Sequence, residues 1–189
     1  MDAKSASRRN EIIAAATNVF AERGYVGASV REIAEQIDIS KGNLTYYFAV
    51  KDDLLFEIVS DLHDSFLALA ASWSVRTDAT PRDVLRDALR DHVLLVAERV
   101  NQTRVSYEAF RFLTDSRRAT IIDKRDRYEA ALRKLIGRCT AADGQVAVQT
   151  RTVLGMLNWP YQWYSTRGAI DPDDMAAVVT DMALRALQL

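Results

Sequence analysis

The chain has 189 residues, 49% of them hydrophobic, and a formal net charge of −1. That is long enough to bury a sizeable core unaided and too nearly neutral to attract a polyanion through a global field. Its single cysteine, Cys139, excludes an internal disulfide and suits a reducing compartment. With only 7 glycines and 3 prolines, and no sustained apolar/polar alternation, an all-α fold is expected. The opening MDAKSASRRN lacks the apolar core of a signal peptide. The longest uncharged run, 152–166, is too short to span a membrane. A cytoplasmic protein with no membrane partner is expected.

Residues 8–23 set Ile12, Ile13, Ala16, Val19 and Phe20 on one helical face, with Gly24 as the stop. GYVGAS reads as a short turn. Ser29 opens a second helix, Glu32 completes a capping-box pattern, and Val30, Ile33, Ala34 and Ile37 form the buried face. DIS ends it, and Ser40 caps a third short helix through Phe48. Three short helices joined by tight turns have the rhythm of a helix-turn-helix unit.

Longer elements follow. Asp52 and Asp53 occupy the first turn of a helix to about Trp73, where acidic side chains suit the helix dipole. SVRTDAT is a linker, and Thr80 with Pro81 starts a helix to about Val100. VNQT separates it from a shorter helix near 104–113. A stripe of helical period covers 118–138, TAADG interrupts, and a long helix begins at about Gln145 with Pro160 expected to kink it. After the loop STRGAID, Pro172 opens a last helix bearing Met175, Val178, Val179, Met182 and Ala186. The sum is about nine helices: three short ones in a trihelical head on 1–50 and six mostly longer ones in a body on 51–189.

ISKGNLTYYF, residues 39–48, carries the functional signal. In a helix-turn-helix the second helix of the pair enters the major groove and presents its N-terminal residues to base edges. Ser40 and Gly42 are small where DNA would come close, and Lys41 and Asn43 can pair with base edges or phosphate. Thr45, Tyr46 and Tyr47 add hydroxyls, while Leu44 and Phe48, four apart, point inward. The expected base readers are Lys41, Gly42, Asn43 and Thr45. Ser29, Arg31, Ser40, Tyr46, Tyr47 and Lys51 are expected to hold phosphates. Residues 1–51 carry seven basic against six acidic residues, a net of +1. Affinity must therefore come from placement and dimerisation rather than a broad basic face.

The run IIAAATNVFAERGYVGASVREIAEQIDISKGNLTYYFAVKDDLL resembles the DNA-binding region of the TetR family of bacterial transcriptional regulators. FAERGY, SVREIA, SKGNL with its aromatic group and Phe48, and Lys51 agree with the family in order and spacing. Ser29 stands where the family usually has threonine, Thr45 where tyrosine is common, Tyr47 where histidine is, and Val50 where serine or asparagine is. The resemblance implies a homodimer reading a palindromic operator, with the rest of the chain binding a small effector and dimerising through its last two long helices. Ligand binding would then favour a head spacing that no longer fits the operator.

LNWPYQWYSTRGAIDPDDMAAVV is similar to the tail of TetR-type regulators that sense fatty acids, acyl-CoA thioesters or related catabolites. Trp159 and Trp163, with Tyr107 and Phe110, are candidates to line an acyl pocket, and Arg125 to meet an anionic head. Val153, Met156, Met175, Val178, Val179, Met182 and Ala186 are candidates for the dimer interface. Ordinary core packing is the competing reading for each of these residues.

An enzyme is the main alternative class. The two histidines, His63 and His92, stand alone in helical patterns, no His/Cys spacing suggests a metal, and no glycine-rich phosphate loop occurs. No catalytic residue, metal or cofactor is expected. A helical protein adaptor is the third class, in which Lys41, Asn43 and Tyr46 would be replaceable. The favoured reading is a ligand-responsive repressor; activation instead would depend on where the operator lies.

Overall fold

The computed structural model describes residues 3–76, 79–140 and 144–189. Parts of the two expected interruptions, 77–78 of SVRTDAT and 141–143 of TAADG, lie outside them. Among the described residues there are nine α-helices, two short 3₁₀ turns and no strand. The chain forms two compact units, Met1–Leu62 with Asn101–Ile121, and His63–Val100 with Ile122–Leu189. The first takes in more chain than the 1–50 head, because it includes the opening of α4 (Lys51–Ser74), α6 (Val100–Glu108) and the start of α7 (Asp115–Gly137).

In the first unit α1 runs Ala3–Gly27, past the expected stop. Gly24 has φ 71° and ψ 157°, so the helix breaks there and a further helical turn follows. A left-handed φ is why glycine stands at that bend. α2 (Val30–Gln36) is closed by a reciprocal capping box, Glu32 N–H to Ser29 Oγ at 3.2 Å and Ser29 N–H to Glu32 Oε2 at 2.9 Å. Asp38, at φ 51°, turns the chain into α3 (Lys41–Tyr47), capped by Ser40 Oγ accepting from Asn43 N–H at 3.1 Å. Ile12, Val19, Phe20, Ile33, Leu44, Phe48, Leu54, Leu55 and Ile58 form one apolar core with Val105, Leu113 and Ile121. VNQT does not interrupt: it is the first turn of α6, since none of its residues breaks a helix, and a 3₁₀ turn at Phe110–Phe112 follows.

The second unit is built on α5 (Pro81–Glu98), whose face Val84, Leu85, Ala88, Leu89, His92, Val93 and Val96 is buried. It packs most extensively against α9 (Pro172–Ala186). Arg86 bonds Asp181 at 2.8 Å, and Arg90 bonds Asp173, along the same seam. α8 spans Val146–Asn158 and ends before Pro160 instead of being kinked by it. Pro160 sits early in a 3₁₀ turn, Trp159–Gln162, where its missing N–H removes no helical bond.

A buried polar chain crosses this second core. Asn158 Nδ2 donates to Leu154 O at 2.7 Å, which leaves its Oδ1 to accept from His92 Nε2 at 3.2 Å. Neutral His92 then accepts from the Tyr128 hydroxyl at Nδ1, 2.8 Å away. Burial holds His92 at about 4 and raises the Tyr128 phenol well above its usual range. The folded-state pKa of His92 lies below its unfolded value near 6.5, so the unfolded chain binds the extra proton between the two. The stability is therefore complete above about pH 6.5 and lost as pH falls toward 4. Unfolding in urea is expected to show a loss of about 2 kcal/mol between pH 7 and pH 5 from this residue. His63, held at about 3 by burial and by Arg125 and Lys124, acts in the same direction. His92→Gln, which keeps a donor and an acceptor without titrating, should flatten its share of the profile.

Candidate nucleic-acid interface

A seven-residue helix is not stable alone, and α3 is held by one side only. Leu44 has 0% exposure and Phe48 after it is also buried, with the Arg9 guanidinium 5.0 Å from its ring centre. The opposite side presents Lys41, Gly42 and Asn43, and Tyr46 at 84% exposure. Among the described residues the side chains of Lys41, Asn43 and Tyr46 form no hydrogen bond or ion pair within the chain. A Cβ on Gly42 would meet nothing closer than Ser40 Oγ at 3.8 Å, and its φ is not positive. Nothing inside the protein requires glycine there.

The other expected contacts divide. Ser29 and Arg31 are exposed, and Arg31 Nε donates to Glu35 at 2.7 Å on the surface. The Ser29 and Ser40 hydroxyls both cap helices. The Thr45 hydroxyl donates to Gly42 O at 3.0 Å, which leaves only its lone pairs for a ligand. Tyr47 is half-buried against the core, its ring edge-on to Tyr46 at 5.3 Å. Lys51, expected at phosphate, is turned inward instead: its ammonium donates to Tyr25 O at 2.7 Å and Ala28 O at 3.0 Å, over the Tyr25 ring at 4.4 Å. A cation at the carbonyl end of a helix is favourable, and burial lowers its pKa. Arg8, Arg9, Arg23 and Arg31 all have carboxylate partners. Among residues 5–51, Lys41 is thus the cation with neither a carboxylate nor a carbonyl partner.

Sequence reasoning missed the N-terminal turn of α1. Ser5, Ser7, Arg8 and Glu11 face Asn43, Tyr46 and Tyr47 across a cleft of about 580 Å³. The signal in the sequence is the hydroxyl-rich and basic SASRR, which the apolar period from Ile12 onward does not mark. Arg117 was also missed. Its guanidinium forks onto Asp52 and Asp53, and Asp53 Oδ2 accepts the Val50 N–H at 3.0 Å. The Arg117 bond holds the Asp53 carboxyl below its usual range and raises the guanidinium in turn. The start of α4, directly after α3, is fixed by this clasp.

The candidates for effector and dimer roles are also rearranged. Tyr107 is exposed and Phe110 packs on the first unit's core, whereas Arg125, in the second unit, donates from Nε to His63 Nε2 at 3.2 Å. Trp159 and Trp163, 60% and 48% exposed, join Met156, Val179 and Met182 in an apolar groove of about 450 Å³ between α8 and α9. Val153 and Met175, expected at the dimer interface, lie in the second unit's core. Periodicity had shown an apolar stripe without its inward edge. Val178 and Met182 are exposed, as is Ala186.

Gly42→Ala is expected to raise folding stability by up to about 1 kcal/mol, read as a higher melting temperature, because alanine is the better helix former. Arg117→Ala should lower it by about 1–2 kcal/mol in urea, a partly exposed clasp being weaker than a buried one. Arg117→Lys should restore only part of that, since an ammonium cannot fork.

A family profile described as "Tetracyclin repressor-like, C-terminal domain" matches residues 78–187, and one described as "Bacterial regulatory proteins, tetR family" matches 12–58. The HTH-type transcriptional regulator HbdR of Aromatoleum sp. (strain CIB) is 30% identical over 71% of this chain; the chain spans 58% of the length of that relative. The crystal structure of PfmR from Thermus thermophilus, a TetR-family regulator, superposes with a TM-score of 0.84 at 28% identity, covering 92% of this chain and 97% of that one. AibR in complex with isovaleryl coenzyme A and operator DNA gives 0.79 at 26% identity, covering 93% and 97%. The chain belongs to the TetR family of bacterial transcriptional regulators.

Proposed function

We infer that this protein is a homodimeric, ligand-responsive repressor that occupies a palindromic operator through residues 1–50 and releases it when a small hydrophobic effector binds within 51–189. The observation that carries the reading is the outward side of α3, where the Lys41, Asn43 and Tyr46 side chains have no hydrogen bond or ion pair among the described residues and nothing within the protein requires Gly42. Polar groups held ready on a short, anchored helix suit base and phosphate contacts. The exposed apolar side of α8 and α9, with Trp159, Val178 and Met182, supports a second copy as its cover. AibR's complex with isovaleryl coenzyme A supports an acyl-type effector. No described helix is long and apolar enough to cross a membrane, which accords with work in the cytoplasm.

Selection from a randomised duplex pool tests the reading. The parent should enrich a palindrome. Lys41→Ala should weaken binding by about 1–3 kcal/mol and relax sequence preference, as a base reader does. Gly42→Ala, folded and no less stable, should also lose affinity. Enrichment of nothing by a folded, effector-stripped parent at low salt would sink the regulator reading and favour the adaptor. Met182→Glu with Trp159→Glu should sediment as a monomer and fail to retain the palindrome; an unchanged dimer would move the interface elsewhere.

A further inference from the structure

The second unit holds a groove between α4 and α7 that no role above uses. The two helices lie side by side: Lys124 Nζ donates to Asp64 at 2.6 Å, and the Trp73 ring stands edge-on to Tyr128 with centres 5.5 Å apart. Ala70 and Ala71 of α4 and Ala131 of α7 are too small to close the space between them. A groove of about 430 Å³ results, floored also by Leu67 and Leu135. That volume is within the range of small-molecule sites.

The edge of the groove is cationic. Arg127, Lys134 and Arg138 line it, and no carboxylate does. Arg127 and Lys134 stand on one stripe of α7 with Ala131, and Arg138, in the turn just after the helix, continues it, because steps of three and four residues return to the same face. From 127 to 138 the stripe is about 16 Å long. Lys134 and Arg138 side chains have no hydrogen bond or ion pair among the described residues. Arg127 meets Asp123 only at 3.6 Å, with both side chains mostly exposed, so that pair is weak. Trp73 lines the same groove at 6% exposure, and its indole N–H is buried without an acceptor. A buried donor without a partner is uncommon and unfavourable.

We propose that the α4/α7 groove binds an amphiphilic anion, with a single alkyl chain on the alanine-lined floor and a phosphate head among Arg127, Lys134 and Arg138. Three cations, of which only Arg127 has a carboxylate partner and that a distant, exposed one, match a doubly charged head better than a carboxylate, and leave an alcohol with nothing to neutralise them. The inference deepens the ligand-responsive reading and rests on it for regulatory meaning, but the binding itself is measurable without DNA.

Three probes with the same chain separate charge from apolar contact: dodecyl phosphate, dodecanoate and dodecanol, titrated calorimetrically below micelle formation at pH 7.5. The phosphate carries nearly two charges there. The parent is expected to prefer phosphate to carboxylate and carboxylate to alcohol, by about tenfold per step. Lys134→Gln with Arg138→Gln, both exposed sites, should erase the order, and Ala131→Phe should weaken all three probes. Trp159→Phe with Trp163→Phe should leave them unchanged. Equal affinities in the parent, a detergent-like association with many sites, or no binding would each overturn the proposal. So would loss of binding in the Trp159 and Trp163 variant in place of Ala131→Phe. Such failure would leave operator selection intact. Failed operator selection with the charge order intact would remove the regulator reading and keep the site.

Discussion

Complete burial of Leu44 is the constraint on which the nucleic-acid face depends. α3 is seven residues long, too short to form without tertiary support, and its fully buried anchors are Leu44 and the adjoining Phe48, with Tyr47 half-buried beside them. Fixing Leu44 in the core settles the rotation of the helix. Lys41, Gly42, Asn43 and Tyr46 then have no direction left but outward. The same burial explains why so few residues suffice. Rotamers at the surface remain free to meet a ligand, while the backbone carrying them is immobilised from below.

Charge in the head serves mainly to brace that helix. Lys51 ties off the end of α1 through two carbonyls, and Arg117 clasps the first turn of α4 through two aspartates. Arg9, Arg23 and Arg31 are likewise paired. Such surface pairs contribute little stability one by one. The result is a head with a net charge near zero in which, among residues 5–51, the unpaired cation Lys41 stands at the start of the outward helix. Binding that relied on diffuse charge would be poorly served by this arrangement. Binding that relies on register is well served.

The second unit separates its apolar and polar roles differently. Its core accepts a run of polar groups, Tyr128, His92 and Asn158, because each finds a partner and none is ionised. Its outer surface keeps large apolar side chains, including Trp159 and Met182. A patch of this kind on an otherwise charged chain is the usual mark of a covered face. The cationic groove along α7 lies in the same unit and calls for an occupant of opposite chemistry, both apolar and anionic.

Local chemistry made much of this legible from the sequence. Caps at Ser29, Ser40 and Thr80, Pro172 at the opening of the last helix, and the period of the apolar residues act within a few neighbours, so they marked the helices, the helix-turn-helix and the residues SKGN before any packing was known. Packing decided the rest, because it depends on partners far apart in the chain. Only there does Lys51 meet Tyr25 and Ala28 across more than twenty residues, or Arg117 meet Asp52 across more than sixty. An apolar stripe in sequence has no inside or outside. Tertiary structure assigned Val153 and Met175 to the core, and left Val178, Met182 and the two tryptophans at the surface.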